Sequence, residues 1–128
     1  MTTRGVRGAT TIELDTKGNI LSATKELLDA ILHANPDLAT ADIASAYFTV
    51  TEDIRSAYPA LAARQIGWDQ VPIMCACEIP VDGSLPLCIR VLIHWNTDKP
   101  QNEIKHMYLR EAVKLRPDLI DSERRKSE

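Results

Sequence analysis

Residues 87–97, Leu-Cys-Ile-Arg-Val-Leu-Ile-His-Trp-Asn-Thr, constrain the fold more than any other stretch. Leu87, Ile89, Val91, Ile93 and Trp95 recur at every second position, which places them on one face of an extended strand. That face is apolar without interruption and has to be covered. Cys88, Arg90, Leu92 and His94 fall on the other face. Apolar neighbours on both faces predict a buried strand, and Arg90 is its anomaly. A guanidinium cannot shed its proton. An unpaired charge in such a strand is costly unless an anion or a carboxylate meets it. Arg7, in Gly5-Val6-Arg7-Gly8, and Arg116, just before Pro117, stand in similarly odd company. Together the three arginines suggest a site for an anionic small molecule.

The rest of the chain surrounds that strand with helices and further strands. Residues 4–14 read as a first strand interrupted by Gly5 and Gly8, which permit close approach of a backbone or ligand. Asp15 and Thr16 are helix-start residues. Ile20, Thr24, Leu27, Leu28, Ile31 and Leu32 then follow helical spacing to about His33, and Asn35-Pro36-Asp37 ends the helix. One helical turn is expected from Thr40 to Ile43. Ala44 to Thr51 alternates, with Ala46, Phe48 and Val50 on one face and Ser45, Tyr47 and Thr49 on the other. Pro59 opens a short helix that Gly67 closes. A third strand is expected over Val71–Val81 and a fourth over Leu87–Thr97. The connection holding Asp82-Gly83-Ser84 predicts that these two form an antiparallel hairpin. Asp98-Lys99-Pro100 starts another short helix, and Met107 to Leu115 reads equally as helix or strand. From Pro117 the chain is a charged tail expected to be mobile. The implied fold class is α+β, a mixed sheet layered with helices.

Composition narrows the function classes. At 128 residues the chain forms one domain with a sizeable core. A net charge of −3 leaves no global basic field for nucleic acid or anionic lipid, so an anion site has to be local. The longest apolar run is far below the ~18 residues of a membrane span. The first residues lack the apolar segment of a secretory signal. Three cysteines, an odd number, fit a reduced cytosolic protein. Cys75 and Cys77 share one strand face, a poor geometry for bridging each other. A metal would need two further ligands at consistent spacing, which His33, His94 and His106 do not supply, so no metal is expected. Both cysteines read as small buried hydrophobes by default.

Three more residues carry possible chemistry. Glu78 sits in the apolar run 73–79. It reads either as a salt-bridge partner of Arg90 across the hairpin or as an acceptor for a substrate hydroxyl and counter-charge to a developing cation, and the two readings are compatible. Arg64 divides evenly between a surface ion pair and a site cation. Tyr108 reads first as a core tyrosine with its hydroxyl satisfied. Phosphate loops, Rossmann glycine patterns, nucleophile elbows and zinc motifs are missing from the sequence.

Taken in order, these residues resemble the trimeric, monofunctional chorismate mutases. The resemblance runs from residue 4 to about residue 119. It rests on Arg4-Gly5-Val6-Arg7-Gly8-Ala9-Thr10-Thr11, Gly67-Trp68, Val71-Pro72, Cys75, Glu78 and Cys88-Ile89-Arg90-Val91. Thr97-Asp98, Pro100-Gln101, Ile104, His106, Tyr108-Leu109 and Leu115-Arg116-Pro117-Asp118-Leu119 complete it. It implies a mainly antiparallel mixed sheet with ferredoxin-like layering, over residues 1–119, assembling as a pseudo-α/β-barrel homotrimer with sites between neighbouring subunits; residues 120–128 would be a tail. It further implies a cytoplasmic isomerase that converts chorismate to prephenate, towards phenylalanine and tyrosine, with no cofactor, metal, nucleic acid or membrane.

The resemblance also assigns roles. Arg90 would meet charge on the breaking ether oxygen, Glu78 would face the ring, and Cys75 would lie beside the ring hydroxyl. Arg7 and Tyr108 would hold a carboxylate. Tyr58 and Ala60 would form an aromatic pocket segment, Arg64 would stand at its mouth, and Leu115 with Arg116 would close over the ligand. Two departures stand out: Leu61 where the family often has lysine, and Met74 in place of a small hydroxyl residue. A second resemblance, to the Rid-type imine deaminases, rests on the Cys-Ile-Arg-Val-like strand. It implies a similar trimer with a different reaction, but residues 4–13 and 104–119 favour the mutases. A third reading is a non-catalytic trimer that binds an aromatic-pathway metabolite.

Overall fold

The computed structural model describes residues 1–115. The predicted central strand is β4, Cys88–Thr97, and it alternates as read, with Ile89, Val91, Ile93 and Trp95 buried. It pairs antiparallel with β1, Thr2–Thr11, on one side and with β2, Ile43–Val50, on the other. The short strands β3, Ile73–Cys77, and β5, Met107–Tyr108, add parallel at the two edges. The sheet order is therefore β3-β2-β4-β1-β5. The expected mixed α+β architecture is present.

One helix covers most of the apolar face. Thr16 caps α1, Lys17–Ala34, its hydroxyl accepting from the Asn19 N–H at 3.1 Å. Ile20, Ala23, Thr24, Leu27, Leu28 and Ile31 then form its buried stripe, continuous with Val6, Phe48, Ile89, Val91 and Ile93 of the sheet. Gly8 makes this close packing possible. A Cβ built there would lie 2.8 Å from Ile31 Cδ1 and 3.2 Å from the Met107 carbonyl oxygen. The helix ends at the buried Asn35, whose amide donates to the Ile31 and Lys105 carbonyls and accepts from the Lys105 N–H, tying the end of α1 to the chain just before β5. The short helix α2, Ala60–Gln65, follows Pro59 and ends at Gly67, whose φ of 97° is open to glycine without strain.

The predicted hairpin between the third and fourth strands does not form. β2 lies between them, and β3 pairs with β2 instead. The physical reason is the parallel sense of β2 and β3. A parallel neighbour needs a long crossover, which residues 51–72 with α2 supply. β3 thereby becomes an edge strand, and residues 78–87 carry the chain past β2 to β4. The third strand is also shorter than Val71–Val81, being bounded by Pro72 and Pro80. The stretch Met107–Leu115 divides: two residues of strand, then a 3-10 turn over Arg110–Leu115. The expected mobile tail lies outside the described residues.

The other sheet face carries Arg7, Ala9, Tyr47, Thr49, Met74, Arg90, Leu92 and His94, as the strand registers require. Tyr47 and Met74 are exposed and Leu92 and His94 half-buried, so α1 and α2 leave this face open. Its lower end is capped by the 3-10 turn, where Ala112 is buried against Ala9 and Cys88 with Leu85, Tyr108 and Leu115 packed around. Among the described residues no helix is long and apolar enough to cross a membrane.

Candidate active site

Arg90 is not buried as its neighbours suggested; its side chain is 32% exposed, because neither α1 nor α2 covers the face it occupies. It stands level with Ala9 on β1 and Thr49 on β2. Glu78 reaches it from just beyond the end of β3, with Nε of Arg90 3.5 Å from Oε1. The expected pair therefore exists, but it forms across β2 and not across a hairpin. Thr49 mediates it: its hydroxyl donates to the same Oε1 at 2.6 Å, while the Glu78 N–H donates to the Val50 carbonyl at 2.8 Å. Thr49 was legible only as a residue of the polar face; its contact depends on strand order, which no local pattern reveals. Cys88 is buried below Arg90, and burial pushes its thiol pKa up against the opposing pull of the Arg90 charge.

Two donors on this face are orphaned. Among the described residues Arg90 Nε is buried without a hydrogen bond, its contact with Glu78 being one of charge alone, and the buried Tyr108 hydroxyl has no hydrogen-bond partner. The expectation of a core tyrosine with a satisfied hydroxyl is therefore corrected. β5 ends the sheet here, so no further strand supplies an acceptor to the ring. A buried hydroxyl left unbonded costs about 1–3 kcal/mol, which marks it as a place for a ligand acceptor. The parallel register puts Tyr108 beside Ala9, and Arg7 lies two residues along β1 on the same face. Among the described residues the Arg7 guanidinium makes no ion pair, while the Arg7 backbone N–H donates to His106 Nδ1 at 2.9 Å. Leu115 packs beside Tyr108. Arg116 lies outside the described residues.

The other expected residues gather elsewhere. Tyr58, Ala60, Arg64 and Cys75 line an open cleft of about 790 Å³ between α2 and the β3 edge, together with Leu61 and Cys77. Cys75 shares its face with Phe48, the helix-covered side, whereas Glu78 serves the open side. The strand ends at Cys77 without a bulge, so the opposite parity of the two residues is real. Tyr58 is 75% exposed at the cleft wall. Arg64 donates to the Trp68 carbonyl from one terminal nitrogen. Cys75 is half-buried against the core and Cys77 exposed, so the reading of both as buried hydrophobes is corrected: β3 is an edge strand.

Sequence reasoning missed two cleft cations, Lys17 and Arg55. Lys17 had a signal. It opens α1, whose first turn holds no acidic residue, so its charge opposes the helix dipole. Arg55 belongs to a loop pinned by Asp15, which accepts from the Arg55 and Ser56 N–H groups at 3.1 Å each. The Arg55 N–H bond holds the Asp15 pKa below the ordinary carboxylate value; desolvation is the next largest effect and opposes it, and the Ser56 bonds and the Arg55 charge add to the lowering. A lowered folded-state pKa contributes stability that is present above the unfolded value and is lost as pH falls through the folded one. Asp15→Asn keeps an acceptor but removes the charge. Its melting temperature should lie below that of the parent at pH 7, and the gap should close below about pH 4. A gap that persists unchanged in acid would contradict this role.

A half-open α+β sheet here carries a polar, doubly cationic face and a separate cationic cleft, an arrangement suited to a small anion. The comparisons define the family. A family model for chorismate mutase type I matches residues 3–119. The chain is 58% identical to a chorismate mutase AroH of Thermus thermophilus over 116 residues, 91% of this chain and 95% of that protein. It is 44% identical to a chorismate mutase AroH of Bacillus subtilis over 123 residues, 93% and 94% of the two chains. A solved chorismate mutase from Clostridium thermocellum superposes with a TM-score of 0.82 at 47% identity, covering 84% of this chain and 96% of that one. The chain belongs to the chorismate mutase type I family. These relatives support the mutase expectation and give the imine-deaminase one no support.

Proposed function

We propose that the chain rearranges chorismate to prephenate, the branch reaction towards phenylalanine and tyrosine, in the cytoplasm. The carrying observation is the open sheet face, where among the described residues the Arg90 Nε and Tyr108 hydroxyl lack hydrogen-bond partners and the neighbouring Arg7 guanidinium makes no ion pair. Chorismate is a dianion whose two carboxylates match such cations.

The reaction needs no nucleophile and no proton donor. A carbon–oxygen bond breaks as a carbon–carbon bond forms within one molecule. Catalysis therefore reduces to holding the compact conformer and stabilising the charge that separates. Arg90 presents fixed positive charge to the ether oxygen as it gains electrons. The Glu78 carboxylate, oriented by Thr49, faces the ring, which becomes electron-poor, and accepts from its hydroxyl. Arg7 and Tyr108 bind a carboxylate, and Leu115 with Arg116 closes over the ligand.

The cleft residues Tyr58, Ala60, Arg64 and Cys75 belong to the same reaction through assembly. Within one chain they lie on the opposite side of the sheet from Arg90. A homotrimer lets the cleft edge of one subunit meet the open face of the next and completes the site. Leu61, 38% exposed on the cleft rim, puts an apolar group at the mouth, and Lys17 and Arg55 supply cations there. Met74, 64% exposed on the open sheet face, is peripheral to the Arg90–Glu78 pair.

Mixing tests this reading. Arg90→Ala and Arg64→Ala chains, each impaired alone, are unfolded together and refolded. Mixed trimers then contain some junctions with both arginines intact, and chorismate turnover at low substrate should exceed the sum of the two separate samples. No gain from correctly assembled mixtures, or a native mass of a single chain, would sink the composite site.

A further inference from the structure

The chain enters β4 through a strained residue. Leu87, immediately before the strand, has φ = 51°, in the left-handed region that a branched side chain rarely adopts. In an extended strand the N–H and C=O of one residue point to the same neighbour. Leu87 instead sends them apart. Its carbonyl accepts from the Ile12 N–H at 2.9 Å, at the end of β1. Its N–H donates to both carboxylate oxygens of Asp53, at 3.1 and 3.0 Å, three residues past the end of β2. The left-handed turn accompanies both bonds.

Asp53 is tied in turn to the first residue of β4. The Thr51 hydroxyl donates to Asp53 Oδ1 at 2.5 Å and accepts from the Cys88 N–H at 3.0 Å, while the Thr51 N–H donates to the Cys88 carbonyl at 3.1 Å. The register that follows puts Ile89 beside Val50 and Arg90 beside Thr49. Thr49 is the residue whose hydroxyl holds Glu78. Leu87, one residue before the strand's first pair at Cys88, thus stands where the register that places Arg90 opposite Thr49 begins.

We propose that Asp53 is a positioning residue for Arg90: its carboxylate holds Leu87 in the left-handed conformation and so fixes where β4 enters the sheet. Asp53 lines a small cavity with Glu78, but among the described residues its hydrogen bonds go to Leu87 and Thr51 and it forms no ion pair with Arg90. The proposal deepens the reading of Arg90 given above and rests on it. An exposed aspartate at a loop would otherwise be dispensable.

The test uses the full chain and chorismate turnover. Asp53→Ala removes the acceptor and lets Leu87 relax. The expected result is a kcat lower by roughly 10–10²-fold, the scale of a small misplacement of a charge-stabilising group, with KM changed much less. Leu87→Gly alone should be near the parent, because glycine adopts the same φ without a clamp. The double variant Asp53→Ala/Leu87→Gly should recover most of the lost kcat, a rescue that a purely structural loss of Asp53 would not show. If Asp53→Ala does not fold, Asp53→Asn, which keeps one acceptor oxygen, should give a smaller loss that Leu87→Gly again recovers. Full kcat in Asp53→Ala, or a loss that Leu87→Gly leaves untouched, overturns the proposal. Arg90→Ala is measured alongside. If it loses turnover while Asp53→Ala does not, only the positioning role falls; if Arg90→Ala itself keeps full turnover, the reading of Arg90 falls and the positioning role with it.

Discussion

Arg90→Ala is expected to lose on the order of 10²–10³ in kcat, the scale for removing one preorganised donor aimed at developing negative charge. The folded state should barely register the change. The side chain is 32% exposed, its ion pair with Glu78 is a 3.5 Å contact without hydrogen-bond geometry, and Glu78 keeps its Thr49 donor when the arginine is gone. Such a partly exposed pair contributes about 0–1 kcal/mol to stability. The measurement is therefore a pair of numbers: turnover falls steeply while the melting temperature moves by a few degrees at most. Near-normal turnover would remove Arg90 from the mechanism. A matching collapse of melting temperature would mean that the residue is structural and that the lost activity is indirect.

Gly8→Val has the largest expected effect on the fold. Gly8 sits on the helix-covered face of β1, between α1 and β5. Even a single Cβ would come within 2.8 Å of Ile31 Cδ1, 3.1 Å of Leu27 Cδ1 and 3.2 Å of the Met107 carbonyl oxygen. The Ile31 and Leu27 methyl groups can yield by rotation, but the Met107 carbonyl belongs to the β1–β5 pairing and cannot move without carrying Tyr108 with it. A valine adds two further methyl groups to this gap, and overpacking of this kind costs about 1–3 kcal/mol, here at the upper end. Gly8→Ala should fall between the parent and the valine variant. A calorimetric series of the three proteins checks the order. An alanine variant as stable as the parent would show that α1 has room to retreat. Because β5 carries Tyr108, the valine variant should also weaken chorismate binding in whatever fraction remains folded.

Much of this fold was legible in the sequence, for a physical reason. The alternation in β4 and β2 and the helical spacing from Ile20 to Ile31 are local consequences of burying one face, and each falls where the periodicity put it. The cap at Thr16, the stop at Asn35 and the closure at Gly67 are likewise local chemistry. What was not legible is non-local. Asp82-Gly83-Ser84 marks a turn, and Gly83 does take a positive φ of 82°, but a turn does not say which strands meet after it. The assignment of β3 to the far side of β2 depends on the α2 crossover, a property of the whole chain. The same limit governs the site. Arg90 and Glu78 were each recognisable as charges in apolar company, and they do pair. Their exposure, the Thr49 link and the split between the open face and the cleft follow from sheet order, which single-residue reasoning does not reach.

A preformed set of fixed charges on this scaffold is expected to be sufficient to drive a unimolecular rearrangement. Purified protein mixed with chorismate, with the ultraviolet absorbance of chorismate followed in time and the product identified, tests that expectation most directly. The expected result is enzyme-dependent disappearance of chorismate with stoichiometric appearance of prephenate, unaffected by a chelator. Chorismate left intact by correctly assembled protein, or converted to anything other than prephenate, would contradict it.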